Sequence, residues 1–226
     1  MIVGLITARG GSKSIKRKNL VKLDQIPLIS YTIRAALSSN LDKVYLSTED
    51  QEIIDYASTF PGIHILRRPK ELATDTSKSL DVVKHAIESL NLNGDDICLL
   101  QPTSPLRGQE DINEAIEKYK RDISQIKSLV SVVKLDHNFT PDSLMVLNSS
   151  GYLSHTNESN KIYRRQDKPE YFARNGAAIY IFNSDNVKDD LLTGNIIMYE
   201  MSKIKSIDID SLEDLQIAEL YFSMLK

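Results

Sequence analysis

The 226 residues predict a single α/β domain: a mainly parallel sheet, helices on both faces, and one protruding arm. Three observations carry this expectation. Short β-rich apolar runs alternate with helical patterns over residues 2–133. A glycine- and cation-rich loop follows the first run. A polar, Pro-containing stretch at 134–175 then breaks the order before strands resume.

Residues 2–7 are a short apolar run with no basic residue before it, which predicts a buried strand and not a secretion signal. Residues 28–39 have helical spacing, with Pro27 near the start. Strands follow at 43–47, 63–66, 96–100 and 128–133, with helices at 50–60, 79–90 and about 110–120 between them. A Pro-bounded loop covers 101–107. Such strand–helix–strand order gives right-handed crossovers and sets ligands beyond the carboxyl ends of the strands. The stretch 134–175 is too long for an ordinary loop and predicts a lid or dimerisation arm inserted in a domain spanning 1–226. Strands at 177–182, 195–201 and 206–210 and a helix from Leu212 close the domain.

A net charge of −3 gives no overall field favouring nucleic acid or an anionic membrane. No apolar stretch approaches the length that crosses a bilayer. The single cysteine, Cys98, cannot form an internal disulfide and fits a buried small hydrophobe in a reduced, cytoplasmic setting. His64, His85, His137 and His155 are scattered without metal-ligand spacing.

Two features carry chemistry. After the first strand, ARGGSKSIKRKN puts five cations (Arg9, Lys13, Lys16, Arg17 and Lys18) in ten residues beside Gly10 and Gly11. Glycines free backbone N–H groups to turn toward an anion, and converging cations can hold a triphosphate. The spacing is neither that of a Walker loop nor of a dinucleotide fingerprint. A solvated basic turn is the alternative. Near the C-terminus, SIDID alternates, so Asp208 and Asp210 share one side while Ile207 and Ile209 share the other. Two crowded carboxylates suit Mg²⁺, which takes oxygen ligands and fills its other positions with water and phosphate. Two solvated aspartates, or a cap on the last helix, would give the same pattern.

These motifs, with LSTED, RPKELATD, QPTSPLR and RRQ…NGAAIYI in the same order, resemble the acylneuraminate cytidylyltransferase family nearly end to end. The resemblance implies a Rossmann-like nucleotidyltransferase fold, a homodimer formed through the arm, and CTP, Mg²⁺ and a nonulosonic acid as ligands. It assigns Arg9, Ser12, Lys13, Lys18 and Asn19 to the nucleotide, mostly its phosphates. Arg68, Ser77 and Ser79 would read cytosine and ribose, and Asn175 would touch the ribose or the sugar. Gln101, Pro102 and Thr103 would lie between nucleotide and sugar. Arg165 and Gln166 would meet the acidic sugar, with Arg165 as a fork for its carboxylate. Asp208 and Asp210 would hold the metal.

The family opening usually reads PARGGSKG; here Thr7 and Ser14 replace the proline and the last glycine. An arm lysine and an aromatic pair found in some sialic acid enzymes are missing. The reaction implied is attack of the sugar's anomeric hydroxyl on the α-phosphate of CTP, with Arg9 and Lys18 offsetting charge on departing pyrophosphate. The NG at 175–176 fits the sialic and legionaminic acid branch better than the pseudaminic one. Other acidic sugars, octulosonates included, are the rival substrates, and a non-catalytic nucleotide-binding module is the rival class.

Overall fold

A computed structural model describes residues 1–123, 125–156 and 169–224. Strand β1 (Ile2–Thr7) lies at its centre, buried on both faces. The hairpin strands β2 (Lys22–Leu23) and β3 (Ile26–Pro27) follow, then α1 (Leu28–Leu37) and β4 (Lys43–Thr48). Next come α2 (Gln51–Ala57), β5 (Ile63–Arg67), α3 (Ser79–Leu90), β6 (Asp96–Leu100), α4 (Gln109–Asp122) and β7 (Ser128–Lys134). The remainder holds a small ribbon of β8 (Met145–Leu147) and β9 (Leu153–His155), then β10 (Phe172–Arg174), β11 (Tyr180–Asn183), β12 (Ile196–Glu200) and α5 (Leu212–Met224).

In the main sheet β4 and β6 flank β1, all parallel, and β5 lies outside β4. After β5 the chain crosses back to β6 on the other side of β1. The loops leaving β1 and β6 therefore diverge, opening a crevice at their carboxyl ends. Beyond β6, β10 and β11 run antiparallel to β7, and β12 pairs with the opposite side of β7 in parallel. Side chains alternate. Ile2, Ile6, Cys98 and Leu100 pack with α1, α2 and α4 on one face; Val3, Leu5, Ile97 and Leu99 pack with α3 on the other. Helices thus cover both faces, as the alternating pattern predicts. No described helix is long and apolar enough to cross a membrane.

Two predicted strands differ. The run 177–182 starts its ladder only at Tyr180, because a bulge precedes it. Arg174 faces Val132 and Tyr180 faces Val130, so residues 175–179 stand opposite Ser131 alone. Ser131 closes the bulge. Its N–H donates to Ile179 O at 2.8 Å, and its hydroxyl donates to Asn175 Oδ1 at 2.7 Å and accepts the Ile179 N–H at 2.9 Å. Residues 206–210 form no ladder; they are an irregular segment anchored by Ile209 N–H to Thr103 O at 2.8 Å. The alternation survives all the same. Ile209 is fully buried in a third small core with Ile15, Leu23, Leu28 and Ala218, with Ile207 packed against it. That core fastens the cation loop, the β2–β3 hairpin and α5 to one another. Among the described residues of 134–175, β8 and β9 form a separate ribbon whose Met145, Val146, Leu147 and Leu153 face solvent, whereas β10 lies in the main sheet beside β7.

The β2–β3 turn is strained. Asp24 and Gln25 both have positive φ, 48° and 66°. A two-residue hairpin of this kind favours glycine at the second position. Gln25→Gly is expected to raise stability by about 0.5–1 kcal/mol, seen as a higher urea midpoint. A midpoint at or below that of the parent would mean the turn stores no strain.

Candidate active site

A cavity of about 250 Å³ fills the crevice between the β1 and β6 loops. Nine of the predicted residues line it: Arg9, Lys18 and Asn19 from the first loop, Arg68, Ser77 and Ser79 from the segment after β5, and Gln101, Pro102 and Thr103 after β6. Segments far apart in the chain are brought together by the topology alone. Ser12 and Lys13 are not in its lining, although Lys13 reaches Asp75, which is.

The first loop is braced from beneath. The Gly10 N–H donates to Glu49 Oε1 at 2.7 Å, so this amide is bound to protein rather than turned toward a ligand. A Cβ on Gly10 would sit 2.7 Å from Asp50 Cγ. Asp50 is fixed in turn: its Oδ1 caps α2 through the Ile53 N–H at 3.0 Å and accepts Arg17 Nη2 at 2.8 Å. Burial works to raise the Asp50 pKa, yet the Ile53 N–H and Arg17 hold it below the usual carboxylate value. Gly10 is therefore needed for close packing. The five cations also divide. Arg17 turns away to Asp50 and Glu52; Lys13 and Lys16 are exposed, Lys13 joined to the cavity only through Asp75; Arg9 and Lys18 line the cavity.

Arg68 lies in the cavity wall, almost fully buried. Its Nη2 donates to Ser47 O at 2.7 Å and its Nε to Ser47 Oγ at 3.2 Å. Burial lowers its pKa, and Glu49 opposes that. Arg9 Nη1 donates to Thr74 O at 2.7 Å and pairs with Asp75 at 2.9 Å; Lys13 Nζ pairs with the other Asp75 oxygen at 3.0 Å. Those cations hold the Asp75 pKa down, Lys13 most. Lys18 Nζ donates to Asp210 at 2.8 Å. Each cavity-facing cation of the first loop thus rests on a carboxylate that an arriving anion can displace.

Asp208 lies beside this pocket. Its Oδ1 is buried with no hydrogen-bond partner. Burial raises its pKa; the nearby Thr103 hydroxyl and Lys18 oppose the rise, and Asp210 adds to it. Gly176, at φ 70°, packs so tightly there that a Cβ would come 2.6 Å from Asp208 Oδ2. An orphaned carboxylate oxygen beside a second carboxylate suits a hard cation. Asn175, predicted to face the ligand, is buried and engaged with protein. Its amide donates to Ser206 Oγ at 3.0 Å and contacts Met201 Sδ at 3.3 Å, tying the bulge to the turn before Asp208. Arg165 and Gln166 lie outside the described residues.

A second cavity, about 460 Å³, adjoins the first and shares Ser79 and Gln101 with it. Arg174 and Tyr180, from the two sides of the bulge, line it with Gly176 and Asp190. Burial raises the Tyr180 pKa, and the nearby Arg174 guanidinium opposes this. Tyr180 is core as well as cavity lining, 9% exposed within the cluster on the α3 face, as its apolar run suggests; in the sequence Arg174 stands only as the neighbour of Asn175. The missed signal was a cation and a phenol bracketing an NG turn.

A family model described as cytidylyltransferase matches residues 3–224, and the chain belongs to that family. It is 34% identical over 220 residues to an N-acylneuraminate cytidylyltransferase of Escherichia coli O18:K1:H7, covering 96% of this chain and 51% of the relative. It is 36% identical over 217 residues to N-acylneuraminate cytidylyltransferase B of Danio rerio, covering 95% and 50%. The chain therefore spans about half the length of these relatives. It is also 30% identical over 225 residues to a pseudaminic acid cytidylyltransferase of Campylobacter jejuni, covering 97% and 95%. Among solved structures, a CMP:2-keto-3-deoxy-manno-octonic acid synthetase complexed with CTP superposes with a TM-score of 0.73 at 17% identity, covering 100% and 99%. That likeness is one of fold.

The three glycines of the site should separate in behaviour. Gly10→Ala and Gly176→Ala are expected to cost about 1–3 kcal/mol each, the first by collision with a locked Asp50, the second also by backbone strain. Gly11→Ala, with nothing within 4 Å of its Cβ, should stay within about 0.5 kcal/mol of the parent. Urea unfolding of the three variants checks this; equal losses at all three positions would contradict it.

Proposed function

We propose that this chain transfers CMP from CTP to the anomeric hydroxyl of a nonulosonic acid, N-acylneuraminate or legionaminate, releasing pyrophosphate. The observation that carries the reading is the two-compartment cleft: a cation-walled cavity and an Arg174–Tyr180 cavity meet at Gln101 and Ser79, with Asp208 packed against the same bulge. The family match and the N-acylneuraminate relatives support it.

In this reading Arg9, Lys13 and Lys18 take the triphosphate, Asp75 and Asp210 giving up their cations to it. Arg68, Ser77 and Ser79 read the nucleoside. Residues 101–103 hold the boundary between the substrates, so that the sugar hydroxyl faces the α-phosphate. Much of the rate then comes from position rather than covalent chemistry. Arg174 is placed to bind the sugar carboxylate, with Tyr180 beside it. Asp208 and Asp210 would hold Mg²⁺, which when bound neutralises phosphate charge and lowers the pKa of the attacking hydroxyl. Arg9 and Lys18 offset the charge that grows on pyrophosphate. A second reading, pseudaminate as the sugar, is favoured by the relative matched along nearly its whole length.

The arm supports a homodimer. Phe139, Leu147, Tyr152 and Leu153 are 61–73% exposed, and a second copy would cover them.

Pyrophosphate release is the test, with CTP and sialic, legionaminic or pseudaminic acid, against omission of each component and of Mg²⁺. Release is expected only with all three present. A clear preference for pseudaminate would replace the sugar but keep the reaction; no release with any acidic sugar would end the proposal. Asp210→Asn should lower kcat about 10²-fold or more. Arg174→Ala should raise KM for the sugar at least about 10-fold and leave CTP binding intact, and loss of CTP affinity instead would remove Arg174 from the sugar compartment.

A further inference from the structure

We propose that Arg107 is a positioning residue: its buried guanidinium locks the loop after β6 to the bulge at residues 175–179, and so fixes the two compartments of the cleft relative to each other. The inference rests on the reading of that cleft as the site where two substrates meet.

Arg107 is 1% exposed. Its Nη1 donates to Ala178 O at 2.7 Å and to Gln101 O at 3.3 Å, and its Nη2 to the Thr32 hydroxyl at 2.6 Å. Thr32 Oγ1 also lies 3.5 Å from Gln101 O. The guanidinium therefore joins three elements: the loop after β6, the bulge, and helix α1. Among the described residues no carboxylate is within ion-pair distance of it, and its Nε has no hydrogen-bond partner. Burial pushes its pKa down to about 10, with Asp111 opposing.

An unpaired buried cation is an expensive way to fill a core, since an apolar side chain of similar volume is often neutral or stabilising in its place. What the guanidinium does, and a methionine cannot, is hold two carbonyls from different segments at once. The need for it follows from the bulge. The β6–β11 ladder runs from Asp96 opposite Asn183 to Leu99 opposite Tyr180 and stops there. Beyond it, among the described residues, one backbone bond joins the loop after β6 to the bulge, Gln101 N–H to Ala177 O at 2.9 Å. Arg107 adds a second cross-link at Ala178 O, between that bond and the end of the ladder.

Both tethered carbonyls belong to residues beside the chemistry. Gln101 lines both cavities, and Ala178 lies two residues from Gly176, which abuts Asp208. Slack at Arg107 would let the boundary between the compartments drift. Displacements of about 1 Å at reacting atoms can cost on the order of 10²-fold in rate.

The test uses the full chain as Arg107→Met, Arg107→Lys and Thr32→Val. Hydrogen exchange is read at the amides of Leu100, Gln101, Thr103 and Ser104 and of residues 176–180; urea midpoints, CTP affinity by calorimetry, and kcat and KM for each substrate are measured beside it. In Arg107→Met these amides should exchange at least about 10-fold faster while the urea midpoint stays within about 0.5 M and the CTP dissociation constant within about 2-fold of the parent. The kcat/KM for the sugar acid should fall at least about 30-fold. Arg107→Lys should recover part of that loss, and Thr32→Val should show a smaller loss of the same kind. Unchanged exchange in Arg107→Met overturns the proposal. So does an equal loss of stability, CTP binding and turnover, which is the signature of a merely structural residue. If Arg107→Met does not fold, Arg107→Lys and Thr32→Val decide by the same criteria. Lack of turnover in the parent chain would dispose of the transferase reading alone, because exchange at the tethered amides is read without it.

Discussion

The site depends on a mismatch of length: residues 175–179 must be accommodated opposite Ser131 alone. Backbone groups pushed out of a ladder need other partners. Ser131 satisfies both ends of the bulge, and what remains faces the loop after β6. Ala177 O takes the Gln101 N–H, and Ala178 O takes Arg107. The same excursion brings Gly176 against Asp208 and sets Arg174 and Tyr180 on either side of the second cavity. Drawn straight, the strand would present none of these groups to the crevice.

Electrostatics then follow from topology. Arg9, Lys13, Lys18 and Arg68 come from loops that the sheet gathers at one end, in a chain whose net charge is −3. Their repulsion is relieved by Asp75 and Asp210 for the three first-loop cations and by Ser47 for the buried Arg68. The exposed pairs are individually weak, so an anion with several charges can replace them at little cost. Arg68 differs: its anchors are backbone and hydroxyl oxygens that no ligand needs to displace. Part of the wall is therefore fixed and part exchangeable.

Much of this was legible in the sequence where the signal was local. Helix 79–90 and strand 96–100 coincide with their observed bounds because apolar spacing and flanking turns suffice to mark them. The crevice lining was largely legible too: the family resemblance named its residues, and their place beyond the carboxyl ends of parallel strands explains why they converge. What failed was non-local. A strand beginning at 177 is a fair expectation for AAIYIF, and only Ser131, some forty residues earlier, turns its first residues into a bulge. The SIDID alternation correctly put Ile209 in a core and the aspartates outside it, but alternation cannot tell a paired strand from an extended segment held by one bond to Thr103. Gly10 suggested an amide offered to phosphate. That reading could not see Glu49, which takes the amide, or Asp50, which takes the space.

Asn175 carries the same lesson further. In sequence it stands beside Gly176 as a polar residue on a turn, which suggests a ligand. In the fold every polar atom of its amide is occupied: Oδ1 by Ser131, Nδ2 by Ser206 and Met201. Those contacts join β7, the bulge and the turn that delivers Asp208. Arg107 does the corresponding work on the loop after β6. Polar side chains buried this close to a site are costly unless fully partnered. Asn175 meets that condition and Arg107, with its lone Nε, falls just short of it. The pair divides the labour of the NGAAIY and QPTSPLR segments: the residues that face the cleft are exposed to it only because their buried neighbours hold the backbone from behind.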